Sequence, residues 1–551
     1  MMKSILIKSF FAFGLLMFLF KISVHAQDTS KRKTIDITST FKPVLREAVK
    51  INFHASPPLA DTSKPKLTYN IPSQYLLLNY QPGELKPVAL QIDSLLSWEN
   101  SNYIKVGAGN VHLPYVQTGF SFGDGKNTFF NVFADGYASK GNLKFQKNSM
   151  TDVAITGTVK TQNNLEWSGK LGFKTDNNFL YGFQPDTLKY NEEQLKQNFT
   201  TFGGKIALKN VEPTEFGLTY NPNLSVSVFS DNHSPKATEA NTVLNVPMQK
   251  SLGDEFAFNL DFTANLTNYR LNGNSQENNV FFVAPAVLYK THNLNLQAGV
   301  TPSWDQNTFH LLPNIMADVT TSDQRFTLQL GWIGYYNKGS YQRYESINPW
   351  LAQPTNLLNT RIEERYVGIK GALNNHFTYS AKVGFNTFEN MPLFINDSID
   401  GKSFVISNES SMQNLQVHGE IGYTMGEKFT ASVGASLNRY ANLHDNDKAY
   451  GLLPYELNAT LRWEIIKGLW LKSDLWQFNA GNFRGLHGGS YKAGTGFDLN
   501  AGVEFRITKP LNLWLQMNNL LNDKYQRWNQ YQVYGFNILG GIVYSFGQKQ
   551  K

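Results

Sequence analysis

The sequence contains no cysteine in its 551 residues. That excludes disulfides, thiolate-held metals, a cysteine nucleophile and a lipoprotein anchor. Catalytic signatures are missing as well: there is no H-E-x-x-H, no G-x-S-x-G and no Walker loop. Nothing therefore assigns an enzyme, and no cofactor is expected. A strong excess of one charge is also lacking. The formal net charge is +7, and without Lys3, Lys8 and Lys21 it is +4, since residues 1–26 hold no acid. So mild and evenly spread a balance excludes a nucleic-acid partner. Past the N-terminus no apolar run approaches the roughly 20 residues of a membrane-crossing helix. No repeat of fixed length occurs, which argues against a propeller or solenoid.

What is present begins with an export signal. Lys3 and Lys8 precede Ser9 to Phe20 (SFFAFGLLMFLF), and Val24-His25-Ala26 resembles an A-x-A cleavage site. Residues 1–26 read as a signal peptide and Gln27 as the first mature residue. Residues 27–100 hold Lys31-Arg32-Lys33, Pro43, Pro57, Pro58, Pro65, Pro72, Pro82 and Pro87, with no sustained period of either kind. An extended, irregular segment is expected there.

Residues 101–551 read as strand after strand. Phe497, Leu499, Ala501, Val503, Phe505 and Ile507 alternate with Asp498, Asn500, Gly502, Glu504 and Arg506. Tyr455, Leu457, Ala459, Leu461, Trp463 and Ile465 alternate with Glu456, Asn458, Thr460, Arg462 and Glu464. Successive strand residues point to opposite faces, so each strand has one apolar and one polar face. Charges at alternate positions do not suit a packed core, but they suit a water-filled lumen. Glu456, Arg462, Glu464, Asp498, Glu504 and Arg506 are the expected lumen lining.

Short connections, such as 426–428, 467–468 and 509–510, alternate with longer ones near 140–149, 182–199, 338–360, 441–452, 482–492 and 522–531. Outer-membrane barrels have short periplasmic turns and long outer loops. Half-apolar strands also explain a mean hydropathy of only −0.35. Phe, Trp and Tyr make up 14% of the chain, enough for two aromatic girdles at the lipid interfaces. The expected fold is all-β: a transmembrane, antiparallel, up-and-down β-barrel of about 22 strands. It sits in the outer membrane of a Gram-negative bacterium, in contact with its lipid. Tyr534 to Phe546 (YGFNILGGIVYSF) reads as the closing strand, with Tyr534, Phe536, Ile538, Gly540, Ile542, Tyr544 and Phe546 on its lipid face. Tyr544 and Phe546 are the expected C-terminal signal for the barrel-assembly machinery.

The C-terminus resembles the TonB-dependent receptor family. The stretch that carries the resemblance is Asn519-Leu520-Leu521-Asn522-Asp523-Lys524-Tyr525, then Gly535-Phe536-Asn537-Ile538 and Gly541-Ile542-Val543-Tyr544-Ser545-Phe546. Leu521 replaces the family's usual Phe, and Phe536 its usual Arg. The resemblance implies a transporting or ligand-binding barrel at the outer membrane. It also implies a plug and a short box for a periplasmic energising protein. Ile35, Asp36, Ile37 and Thr38 are the weak candidate for that box. Residues 27–100 are too few for a whole plug and stand as a vestigial plug or linker, so that segment itself, inward side chains, long loops or a plug-supplying partner must fill or gate the lumen.

Loop 338–360 is the candidate ligand loop: Tyr341, Tyr344 and Trp350 surround Arg343, and aromatics with a few polar groups suit flat ligands. The competing reading makes Trp332, Tyr335 and Tyr336 girdle residues and the rest loop packing. His418, alternating with Gln416 and Glu420, reads as pore lining. Asp445-Asn446-Asp447 starts like a calcium loop, but Tyr450 stands at the required glycine. Asn191 and Gln194 are spaced as a capping box. Two functional classes remain alongside the transport barrel: a non-conducting scaffold barrel of an envelope complex, and a passive porin.

Overall fold

A computed structural model of the chain describes residues 102–547, apart from 125–126, 375 and 487. The expected signal peptide, residues 27–100 and the candidate box Ile35, Asp36, Ile37 and Thr38 lie outside the described residues. Among the described residues twenty-four strands form one antiparallel sheet. Two of them, Leu218–Tyr220 and Asn274–Glu277, are short pieces beside longer neighbours, which leaves 22 spanning strands. The spanning strands follow one another around the ring in chain order. The last, Asn537–Phe546, pairs with both Leu511–Asn518 and the first strand, Asn102–Gly109, and so closes the barrel.

The closing seam is tight. A Cβ on Gly541 would stand 1.9 Å from the Val106 carbonyl oxygen, so only glycine fits there. The last strand begins later than its alternation suggests. Tyr534 is 5% exposed and turned inward, its hydroxyl donating to Asn148 Oδ1 at 3.0 Å, rather than continuing the lipid row. The asparagines of the preceding loop bend the chain here. Asn519 Nδ2 donates to the Tyr534 carbonyl at 3.0 Å, and Asn522 Oδ1 accepts from the Phe536 N–H at 2.9 Å.

Exposure is inverted relative to a water-soluble protein. Phe505 is 45% exposed and Glu504 beside it 4%. Leu171, Phe202 and Val367 are each more than half exposed, whereas Asn131, Gln329, Asn500 and Gln516 are buried on the other face. So wide an apolar exterior is unfavourable in water and is what a lipid-facing belt requires. Outward aromatics gather toward the short-turn rim. Phe377, Tyr423, Phe429 and Trp463 touch in series, at 4.7, 5.7 and 6.4 Å between ring centroids. At the other rim Trp304 and Phe309 meet at 5.4 Å.

The two rims differ as expected from the connections. Turns 161–164, 374–376, 426–428, 467–468 and 507–510 lie on the rim that holds both ends of the barrel. Loops 180–195, 338–359, 390–411, 442–454, 480–494 and 519–536 lie on the opposite rim. The capping box is present: Asn191 and Gln194 exchange hydrogen bonds of 2.9 and 3.0 Å at the start of the helix Glu192–Leu195. Loop 390–411 carries its own hairpin, Met391–Asn396 with Phe404–Glu409, whose first strand is buried throughout.

Candidate functional site

Three of the long loops leave the ring far apart. Loop 180–195 follows the fifth spanning strand, loop 338–359 the thirteenth and loop 519–536 the twenty-first. At separations of eight, eight and six strands they can meet only over the barrel axis. They do meet there, through one aromatic from each. Trp350 and Tyr531 stack at 4.0 Å and 24°, and Tyr181 stands edge-on to both, at 5.9 and 4.9 Å. Each ring also satisfies its polar atom. Trp350 Nε1 donates to the Phe179 carbonyl at 3.2 Å, the Tyr181 hydroxyl to the Gln532 carbonyl at 2.9 Å, and the Tyr531 hydroxyl to the Lys402 carbonyl. Phe394 and Phe404 of loop 390–411 and Trp528 extend the same core. Full burial of each such side chain contributes about 1.5–3 kcal/mol against the entropy lost in ordering the loops.

The helix Tyr341–Ile347 ties this core to the wall. Ser340 Oγ accepts from the Arg343 N–H at 3.1 Å and caps it. The Glu239 carboxylate, on a wall strand, accepts from the N–H groups of Tyr341 and Gln342. A carboxylate at a helix start satisfies donors that would otherwise be unpaired. Gln342 Oε1 accepts from Ser227 Oγ at 3.1 Å and Asn241 Nδ2 at 3.3 Å, both on the inner wall. Glu345 is 8% exposed. Burial, with Asp176 nearby, pushes its carboxyl up to about 8 against the opposing pull of Lys174.

The candidate ligand loop is thus differently employed. Tyr341, Tyr344 and Trp350 are 0%, 1% and 2% exposed, with their faces taken by Phe199, Phe229, Tyr269, Phe394 and Tyr531. The Arg343 guanidinium donates to the Lys338 carbonyl at 2.6 Å. These residues hold a core together and offer no open platform, because the loop folds inward over the lumen instead of standing in solvent. Trp332 is outward as a girdle residue, 44% exposed, but Tyr335 packs inward against the core around Ile362 and Phe388.

The six charged positions read as lumen lining share the inner face. Glu456 Oε1 accepts from Trp476 Nε1 at 2.9 Å, Glu464 Oε1 from the Gly468 N–H at 3.0 Å, and Glu504 from Asn512 Nδ2 at 2.6 Å. Asp498 accepts from the Tyr525 hydroxyl at 2.7 Å. Arg506 lies 4.9 Å over the Trp470 ring, and Arg462 stands opposite Lys472 across the sheet. Tyr544 is 48% exposed on the lipid face, and Phe546 ends the closing strand against Phe120 at 6.3 Å. His418 lies on the inner face, 2.8 Å from Ser436 Oγ. The loop Asp445-Asn446-Asp447 is occupied internally, with Glu409 accepting from the backbone of His444, Asp445 and Asn446.

Sequence reading missed Tyr181 and Tyr531, the other two members of the aromatic triad. Isolated loop aromatics carry no period. One signal was available: Met391-Pro392-Leu393-Phe394-Ile395 is an apolar run in a segment that belongs to a loop, which a solvated loop would not contain.

No protein-family model matches this sequence, and no curated protein matches it. Solved structures do. The FrpB iron transporter from Neisseria meningitidis superimposes with a TM-score of 0.63 at 10% identity, covering 82% of each chain. The siderophore receptor PirA from Acinetobacter baumannii gives 0.63 at 10% identity, covering 81% of this chain and 80% of its own. A mutant of the ferric enterobactin receptor PfeA from Pseudomonas aeruginosa, in complex with enterobactin, gives 0.62 at 10% identity, covering 81% of both. The chain therefore shares the barrel fold of these transporter and receptor structures.

Proposed function

We propose that this chain is a transport barrel of the outer membrane, akin to the TonB-dependent receptors, whose outer mouth is closed at rest by its own loops. The observation that carries this reading is the meeting of Tyr181, Trp350 and Tyr531 over the axis of a barrel with a polar inner wall. A ligand arriving at the outer rim loosens that core, and the charged wall around Glu456, Arg462, Glu464, Asp498, Glu504 and Arg506 offers it an aqueous path. Residues 27–100 lie in or across the periplasmic mouth and restrict passage from below. Ile35, Asp36, Ile37 and Thr38 dock on a periplasmic energising protein by strand addition, a recurrent mode for extended peptides. Tyr544 and Phe546 are read by the barrel-assembly machinery. Likeness of fold to an iron transporter and to siderophore receptors supports a cargo carried inward.

Binding of the energising protein's C-terminal domain to the purified full chain tests this reading. Ile37→Pro removes a backbone donor and should abolish that binding. Absence of any binding would leave transport without an energy source. A second reading rests on the same mouth: a core this apolar also suits a non-conducting scaffold barrel of an envelope complex. A passive porin does not fit a mouth packed shut.

A further inference from the structure

Beneath the helix Tyr341–Ile347 the inner wall forms a pocket of about 290 Å³, lined by Lys170, Lys205, Thr201, Ser225, Asn241 and Gln342 among others. We propose that this pocket binds a phosphate group, free or as a monoester, between Lys170 and Lys205. The proposal rests on the transport reading and names a ligand class for its lumen.

The argument starts from sheet register. Lys170 and Lys205 stand directly opposite each other on the strands Leu165–Phe179 and Lys196–Asn210, on the inner face. Directly opposed residues have Cβ atoms about 4.5–5.5 Å apart, and like charges so placed are unfavourable. Most inner lysines have a carboxylate at hand, although Arg462 and Lys472 are also directly opposed. Lys160 and Lys209 share Glu166 at 3.7 and 3.3 Å, Lys174 has Asp176 at 2.6 Å, Lys370 has Asp318 at 2.9 Å and Lys382 has Glu364 at 2.5 Å. Among the described residues, Lys170 and Lys205 have no carboxylate at ion-pair distance. Asp152 also lines the pocket, but it stands opposite Lys174.

The neighbours of the two lysines are donors. In the same row Thr156 lies opposite Lys170, and Ser225 opposite Lys205. The row thus runs hydroxyl, ammonium, ammonium, hydroxyl. Two point charges flanked by hydroxyls suit a doubly charged oxyanion, and phosphate is the common one. The roof is fixed, since Gln342 is held by Ser227 and Asn241. Small-molecule pockets span roughly 300–1,000 Å³, so a pocket at the bottom of that range receives one group of a ligand rather than the whole of a large one.

The test uses the purified full chain in a zwitterionic detergent, with inorganic phosphate followed by its phosphorus NMR line width. The wild type should broaden the line. The Lys170→Gln, Lys205→Gln double variant should bind about tenfold more weakly or worse, and Lys205→Gln alone should be intermediate. Lys209→Gln removes an inner lysine that is already paired, and it should bind as the wild type does. The double variant relieves a repulsion, so without phosphate it should unfold at no lower temperature than the wild type. Broadening that survives in the double variant, a loss equal in Lys209→Gln, or no broadening by the wild type overturns the site. The two readings fail separately. Binding by a barrel that never conducts defeats transport and leaves the site, whereas conductance without binding defeats the site alone.

Discussion

The indole of Trp350 lies face to face with the phenol ring of Tyr531, 4.0 Å between centroids. One residue belongs to a loop that follows the thirteenth spanning strand and the other to a loop that follows the twenty-first. Their contact means that the outer mouth is bridged across its width. Loops that merely fringed a pore would touch only their neighbours on the ring.

Removing this contact should open the mouth without unmaking the barrel. Trp350→Ala deletes a side chain that is 2% exposed. Large-to-small changes of this kind cost about 3–5 kcal/mol. Gly182→Ala attacks the same place differently, since the new Cβ would fall 2.7 Å from the ring of Tyr531, which is itself fully buried. Both variants should keep heat-modifiable mobility while loops 180–195 and 338–359 become sensitive to added protease. Protease resistance equal to the wild type would mean that the triad does not hold the mouth.

The mouth should also respond to pH through Glu345. Its carboxyl is raised to about 8 from an ordinary 4.5, first by burial and then by Asp176, while Lys174 pulls the other way. A raised carboxyl keeps its proton in the closed state longer than in the open one. The stabilisation is therefore complete below about 4.5 and is lost as pH rises through about 8. Loop proteolysis should accelerate across that window, and Glu345→Gln should flatten the dependence. A closed state that instead tightens with rising pH would contradict this placement of Glu345.

The two faces of a wall strand should tolerate charge very differently. Leu499→Arg places a cation on the lipid face near mid-strand, at a cost of about 2–4 kcal/mol. Asn458→Arg adds the same charge to an exposed position on the inner face and should be far milder. Asp498, although it alternates with Leu499, is a poor control: it is 7% exposed and accepts a hydrogen bond from Tyr525. Equal losses of folded protein would refute the face assignment.

Phe546→Ala should impair assembly. Phe546 pairs with Asn102 at the seam where the last strand meets the first, and its ring contacts Tyr544 and Phe120. The expected result is less heat-modifiable barrel in the outer membrane. Unchanged levels would remove its role as an assembly signal.

The wall was legible in the sequence and the mouth was not. Thr495–Arg506 announces itself because a period of two persists over its length, so burial of Asp498, Asn500 and Glu504 follows from position alone. The capping box at Asn191 is legible for the same reason, a local spacing with a local consequence. Trp350 on Tyr531 has no such spacing. It depends on where strands enter a ring of 22, which only closure of the barrel establishes. Aromatics in loop 338–359 could therefore be read as a ligand platform, when burial assigns them to a core.

The most direct test of the loop-closed transport barrel is planar-bilayer conductance of three purified chains. These are the wild type, the Trp350→Ala, Tyr531→Ala double variant, and that double variant without residues 27–100. The account predicts a nearly silent wild type, intermittent openings in the second, and wide, steady conductance in the third. A wild type already wide open, or a third chain that stays silent, would contradict it.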